Sequence, residues 1–290
     1  MVDDGSTDST ASRIENQSSL DERIILLKQS NKGVSAARNN ALRNATGDYV
    51  IFLDGDDWLE KNAVEVLINN LHKYENAFII CSRYIVDEED KSIRINDDTR
   101  EEIEFVSNES ILESFLYKYF YFQSSCYKLF DLKIIKQNNI LFSEDISHGE
   151  DGLFVFTYLQ YASKVVSIPI PLWDILDRVN SASNASFNER KLTAIDAAEK
   201  MLTFDITNKV RDEIIRYLII RAETMYLEAC MDGVKSNIRA LKIIKSKLKE
   251  YRVFLNFRDI AFKEKTRYLL FTYMPFGFMS FILKIKNRNR

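Results

Sequence analysis

The chain has 290 residues, 46% of them hydrophobic and 29% charged, with a net charge of −3. That balance suits a soluble globular fold of one large domain, or one domain with an appendage, and nothing in it argues for nucleic acid. Cys81, Cys126 and Cys230 are odd in number and lack a CxxC spacing, and His72 and His148 are the only histidines, which argues for reduced thiols in a cytoplasmic protein and against a zinc site or a histidine relay.

The opening MVDDGSTDST is already in a turn: Asp3-Asp4-Gly5 is turn chemistry, and Ser6 to Thr10 form a helix start signal. A helix is predicted from Ser6 to Ser19, with Ala11, Ile14 and Gln17 on its inner side. Ile24 to Lys28 has the length of a strand and Val34 to Ala45 the composition of a helix. Tyr49 to Asp54 is nearly continuous in apolar residues, as a strand covered on both faces would be. An amphipathic helix ends at Lys73, with Ala63, Val66, Leu67, Asn70 and Leu71 along its stripe, and a strand follows from Ala77 to Val86. Such alternation predicts a parallel α/β sheet, with its crevice at the carboxyl ends of the strands, where both acid-rich turns sit.

Asp87 to Glu102 is charged and reads as a solvated hairpin or loop. Next come a helix at Glu109 to Phe120, a strand at Gln123 to Phe130 and a helix at Gly149 to Ala162. The aromatic run from Phe115 to Phe122 reads as core in preference to a sugar-stacking platform. Pro169 and Pro171 mark Val165 to Trp173 as an edge strand. Beyond about Ser181 the pattern turns to long helices through Glu250. An α/β domain over 1–180 and a helical region over 181–290 are expected.

Three segments carry chemistry. In FLDGDDW, Asp54 and Asp56 are two apart, so on an extended backbone they address one side. Oxygen ligands so placed suit Mg²⁺ or Mn²⁺ bridging a diphosphate; the plain alternative is that these acids cap the next helix, as Asp57 readily can. Trp58 stands where a haloacid-dehalogenase-type phosphatase needs a hydroxyl, and Leu59 and Lys61 break an EF-hand pattern. At the DDGS turn an aspartate can accept the imide N–H of a uracil, or simply belong to the turn. Glu150 and Asp151 open a helix whose dipole favours their charge. Asp151 reads either as a general base or as an ordinary helix-start acid, and His148 as a packing residue.

VDDGSTD, NKGVSAARNNAL, GDYVIFLDGDDWL and GEDGLFVF, in this order between Val2 and Ser183, resemble the family 2 glycosyltransferases, which have the GT-A fold. The resemblance implies inverting transfer of a sugar from a nucleotide-sugar, usually a UDP-sugar, to an acceptor hydroxyl. It assigns Asp4, with Asp3 beside it, to reading the base. Asp56 corresponds to the direct metal ligand and Asp54 to a contact with the ribose or metal water. Arg38 and Asn39 correspond to the segment lining the donor site, and Asp151, with Glu150, to the acceptor-activating base. It further implies a divalent cation, Mg²⁺ or Mn²⁺, a saccharide or lipid-linked saccharide acceptor, and bacterial surface-polysaccharide synthesis at the inner face of the cell membrane. Trp173 to Ser183 resembles the family's flexible segment after the last core strand, but its arginine spacing, at Arg178, fits poorly.

In that family a strand, a helix and a strand precede the DDGS turn, a unit of about 30 residues. Val2 alone stands ahead of the turn here, so an N-terminally shortened GT-A sheet of low stability is expected. A non-catalytic remnant and a nucleotidyltransferase are the competing readings; the second would show a basic, glycine-rich loop after its first strand. Between Arg258 and Arg290, basic residues flank the apolar stretch Tyr268 to Leu283, which Pro275 and Gly277 interrupt. That tail suits an anionic membrane surface, or else packs back on the protein.

Overall fold

The computed structural model describes residues 1–75, 77–88, 92–95, 102–105, 108–117, 123–177, 186–252, 254 and 262–278. At the start, β1 (Val2–Asp3) pairs in parallel with β2 (Leu27–Lys28), and α1 (Thr10–Leu20) connects them. The polar sequence of α1 leaves it without a buried residue: Ala11 and Ile14 are half-buried, and Gln17 is exposed rather than inward. Next come α2 (Val34–Asn44), β3 (Tyr49–Val50), β4 (Trp58–Leu59) and α3 (Ala63–Lys73). The apolar stripe of α3 packs through Ala63, Leu67 and Leu71, as its periodicity predicts.

The main sheet is mixed, not parallel. It is built from β3, β4, β5 (Phe78–Asp87), β6 (Ile93–Ile95), β7 (Ile103–Phe105), β8 (Lys128–Asp131) and β9 (Val165–Asp177). Its order is β3-β8-β5-β9-β4, with β6 on β5 and β7 on β9. Within this sheet β5 and β9 pair in parallel, and the other named pairs are antiparallel. Alternation along the chain gives the succession of elements but not where each strand inserts, and β8 enters between β3 and β5. Among the described residues, the expected strand at Tyr49 to Asp54 pairs only over β3 and through a parallel bridge from Phe52 to Cys126. The charged stretch after Val86 includes β6, antiparallel to β5; residues 89–91 and 96–101 of it lie outside the described residues.

β9 also departs from expectation. It is flanked by β5 on one side and by β4 and β7 on the other, so it is no edge strand. Cys81 pairs with Ile168 but the next residue, Ser82, pairs with Pro171, and the register shifts again before Arg83. The prolines therefore fall at a bulge, where no ladder N–H is asked of them.

Four further helices and a turn complete the frame around α6 (Glu150–Leu159): α4 (Asn108–Tyr117), α5 (Leu132–Gln137), a 3-10 turn at Glu189–Leu192, α7 (Thr193–Met201) and α8 (Asn208–Asp232). α9 (Ile238–Arg252) and α10 (Phe262–Tyr273) follow. Seven residues of α6, from Gly152 to Leu159, are buried, because the helix is enclosed between the sheet and the helical region. One hydrophobic cluster runs from Leu42 to Phe271. Phe142 and Phe154 stack at 4.0 Å between ring centroids, with Phe52 edge-on to both. Phe115 packs on Phe156, while Phe120, Tyr121, Phe122 and Arg178 lie outside the described residues. All three cysteines are free and buried, as expected.

The described part of the tail packs back through Phe271, whose ring lies 5.6 Å from that of Tyr226, while Leu269, Leu270, Tyr273 and Phe278 stay exposed. Residues 255–261 and 279–290 lie outside the described part. Among the described residues no helix is long and apolar enough to cross a membrane.

Candidate active site

The donor motifs are fixed by their own backbones. Gly5 has φ of 79°, and a Cβ there would stand 2.8 Å from the backbone N of Asn31, so the DDGS turn can close against the loop before α2 only with glycine. Asp3 is buried and its Oδ1 accepts the N–H of Ser6, which makes it a turn residue. Asp4 Oδ1 accepts from Gln29 Nε2 and the Lys32 N–H, and Oδ2 from the Gly33 N–H, each at 2.8 Å. Partial burial works to raise its pKa, but these donors outweigh it and the carboxyl is held below its ordinary range. Asp57 does not cap α3, whose N-cap is Asn62; its Oδ1 accepts the Leu176 N–H and ties the DGDD turn to β9.

Arg38 joins the two ends of the cleft. Its Nη2 donates to Asp54 Oδ1 at 2.8 Å and its Nη1 to Asp151 Oδ1, while its guanidinium lies 5.3 Å from the centroid of Phe142. Burial opposes its charge, but Asp151 and Asp54 outweigh burial and raise its pKa. Asp151 Oδ2 accepts the Ser125 N–H, so both oxygens of the predicted base are held. Asn39 points elsewhere. It is 1% exposed, donates to the Phe142 carbonyl and to Glu144, and accepts the Phe142 N–H. Successive helix residues diverge by about 100°, so Arg38 faces the cleft while Asn39 pins the chain behind it.

Glu150 has an environment unlike that of its neighbour. Burial, then the charge of Asp151, pushes its carboxyl up to about 7. Gly149, with φ of 90°, sits against α7: a Cβ would meet that of Ala197 at 3.1 Å. Beside this turn opens a cavity of about 530 Å³, walled on one side by Gln123, His148, Glu150 and Asp151. Its far wall is helical, with Lys191 from the 3-10 turn and Tyr217, Arg221, Met225 and Glu228 from α8. Sequence reasoning missed this wall. The one available signal was a cation at Arg221 in register with Tyr217, Met225 and Glu228 on one helix face.

For a divalent cation, Asp54 offers a carboxylate that is 46% exposed, with Arg38 on one oxygen only, and Asp56 is partly exposed. No group of three or more His, Cys, Asp or Glu side chains converges among the described residues. Two carboxylates fit Mg²⁺ or Mn²⁺ when substrate phosphates and water complete the shell, and do not fit a cage made of protein alone.

A family model described as Glycosyl transferase family 2 matches residues 1–138. The glycosyltransferase GlyA of Streptococcus pneumoniae serotype 4 is 30% identical over 212 residues, covering 70% of this chain and 30% of GlyA. EpsH of Bacillus subtilis (strain 168) is 26% identical over 194 residues, covering 66% of this chain and 55% of EpsH. This chain therefore spans only about half, or less, of either relative's length. In fold alone, it matches S. aureus TarS 1-349 with a TM-score of 0.68 at 16% identity, over 100% of this chain and 81% of that one. TarS 1-349 in complex with UDP-GlcNAc matches at 0.57 and 18% identity, over 87% and 81%. Over residues 1–138 the chain is thus similar to glycosyl transferase family 2, and its fold is GT-A.

Proposed function

We propose that this chain transfers a sugar from a UDP-sugar to an acceptor hydroxyl with inversion at the anomeric carbon. One contact carries the proposal: a single guanidinium, Arg38, holds Asp54 of the donor motif and Asp151 of the GED motif. Inverting transfer needs a leaving diphosphate and an attacking hydroxyl on opposite sides of one carbon, each served by its own carboxylate. The complex of TarS with UDP-GlcNAc supports the donor class. Asp4 reads the base with the acceptor capacity left on Oδ2, and Asp56, with Asp54, holds Mg²⁺ or Mn²⁺. When bound, the cation supplies positive charge against the departing diphosphate. Asp151 takes the acceptor proton during in-line attack. Arg38 and the Ser125 N–H fix its orientation beforehand. The acceptor, a saccharide free or lipid-linked, enters by the cavity beside Glu150.

Release of UDP from a panel of UDP-sugars with Mn²⁺ and bacterial surface glycans as acceptors tests this, with proton NMR of the product. An α-configured donor should give a β-linked product. A product of retained configuration, or no UDP release with any donor, would sink it.

The same reading sets the enzyme on an anionic membrane surface. Leu269, Leu270, Tyr273 and Phe278 line an open apolar face, and Lys284, Lys286, Arg288 and Arg290 follow in the sequence. Leu269→Glu with Tyr273→Glu should abolish sedimentation with phosphatidylserine vesicles and spare UDP binding. Unchanged sedimentation would remove the membrane role.

A further inference from the structure

The helical wall of the cavity holds a cation that the transfer proposed above leaves unused. Arg221 is half-buried on α8 and, among the described residues, forms no ion pair or hydrogen bond. Lys191, on the same wall, pairs with Glu228 at 2.8 Å. Two shielded polar atoms of lining residues have no partner either: Gln123 Nε2 and His148 Nδ1. A buried polar atom left without a partner is unfavourable, and rotation of an amide or an imidazole turns it toward an incoming oxygen. The acids of the cavity do not neutralise Arg221. Asp151 is held by Arg38 and the Ser125 N–H, Glu228 by Lys191, and burial favours the neutral form of Glu150. A neutral acceptor would cover the guanidinium without compensating it. The planar fork of arginine matches two oxygens of a phosphate or carboxylate.

We propose that Arg221, seconded by Lys191, Gln123 and His148, seats an oxyanion of the acceptor, so that the acceptor is a saccharide or polyol carrying a phosphate or a carboxylate. This rests on the transfer reading, which makes the cavity the acceptor's side of Asp151. The anion then anchors the acceptor at α8 while its hydroxyl meets Asp151.

Calorimetric titration of the full chain, with and without UDP and Mn²⁺, tests it with three probes: glycerol 3-phosphate, methyl glucuronide and methyl glucoside. At least one anionic probe should bind and the neutral glucoside should not; which of the two binds tells phosphate from carboxylate. Arg221→Gln should weaken that binding about tenfold or more, and Arg221→Lys should recover part of it. Thr224→Glu, at an exposed position lining the cavity, should weaken it too while circular dichroism stays native. UDP affinity should hold in all three variants. Equal binding of the glucoside, no binding of either anion, or anion binding that survives Arg221→Gln overturns the proposal. So does a parallel loss of UDP affinity, which would assign Arg221 to the donor. Wild-type protein that binds the anion but not UDP would keep the oxyanion seat and remove the transfer reading instead.

Discussion

The two walls of the cleft are built in opposite ways. On the donor wall most acids are positioned by backbone close to them in sequence or by one neighbouring loop: Asp3 by Ser6, Asp4 by the Gln29–Gly33 loop, and the DGDD turn by its own 54–57 hydrogen bond, with Asp57 alone reaching out to β9. The acceptor wall is assembled from distant segments, with Gln123, the Gly149 turn, Lys191 and Arg221 meeting only after α6, α7 and α8 have packed. A wall of the first kind survives as a short motif. One of the second kind exists only in the folded chain.

The largest effect that can break this contrast is on rate. Asp151→Asn removes the proposed base while leaving Asp4, Asp54 and Asp56 in place, and transfer should fall by about a thousandfold in a UDP-release assay. A loss below about tenfold, roughly 1.4 kcal/mol of barrier, would place the base elsewhere. Next in size is a stability effect. Asn39→Ala leaves the buried Phe142 N–H and carbonyl unpaired, so urea unfolding should show a loss of about 2–3 kcal/mol, with UDP affinity changed far less. If UDP binding falls while stability holds, Asn39 belongs to the donor wall and not behind it.

The smallest effect is in pH dependence. The Glu150 carboxyl titrates near 7 in the folded chain, against an ordinary 4.5 when unfolded, so the folded state holds this proton more tightly. The stability it contributes is fully present below pH 4.5 and is lost as pH rises through 7. Glu150→Gln should therefore lose less melting temperature than the wild type between pH 5 and pH 8 (the window about these two values). Identical slopes would mean that Glu150 does not titrate there.

The same contrast explains what could be read ahead of the structure. The GT-A class and the segments that bring Arg38 to Asp54 and Asp151 were legible because turns, helix starts and strand ends leave local signatures that resemble a known family. Strand order was not, since β8 inserts between β3 and β5 through pairings distant in the chain. Pro169 and Pro171 suggested an edge strand because a proline disrupts a regular ladder, yet a bulge removes that conflict inside the sheet. Asn39 shares a motif with Arg38 but faces another way, which depends on the angle at which α2 packs. Arg221 carries no motif, and its role depends on which turn α8 meets.

The most direct measurement of the division between walls is calorimetric titration of UDP, with Mn²⁺ present, into wild type, Asp56→Asn and Asp151→Asn. Asp56→Asn should lose at least about tenfold in affinity, roughly 1.4 kcal/mol, and Asp151→Asn should bind as the wild type does. Equal losses in both variants, or none in Asp56→Asn, would contradict the separation of donor and acceptor functions on which the account stands.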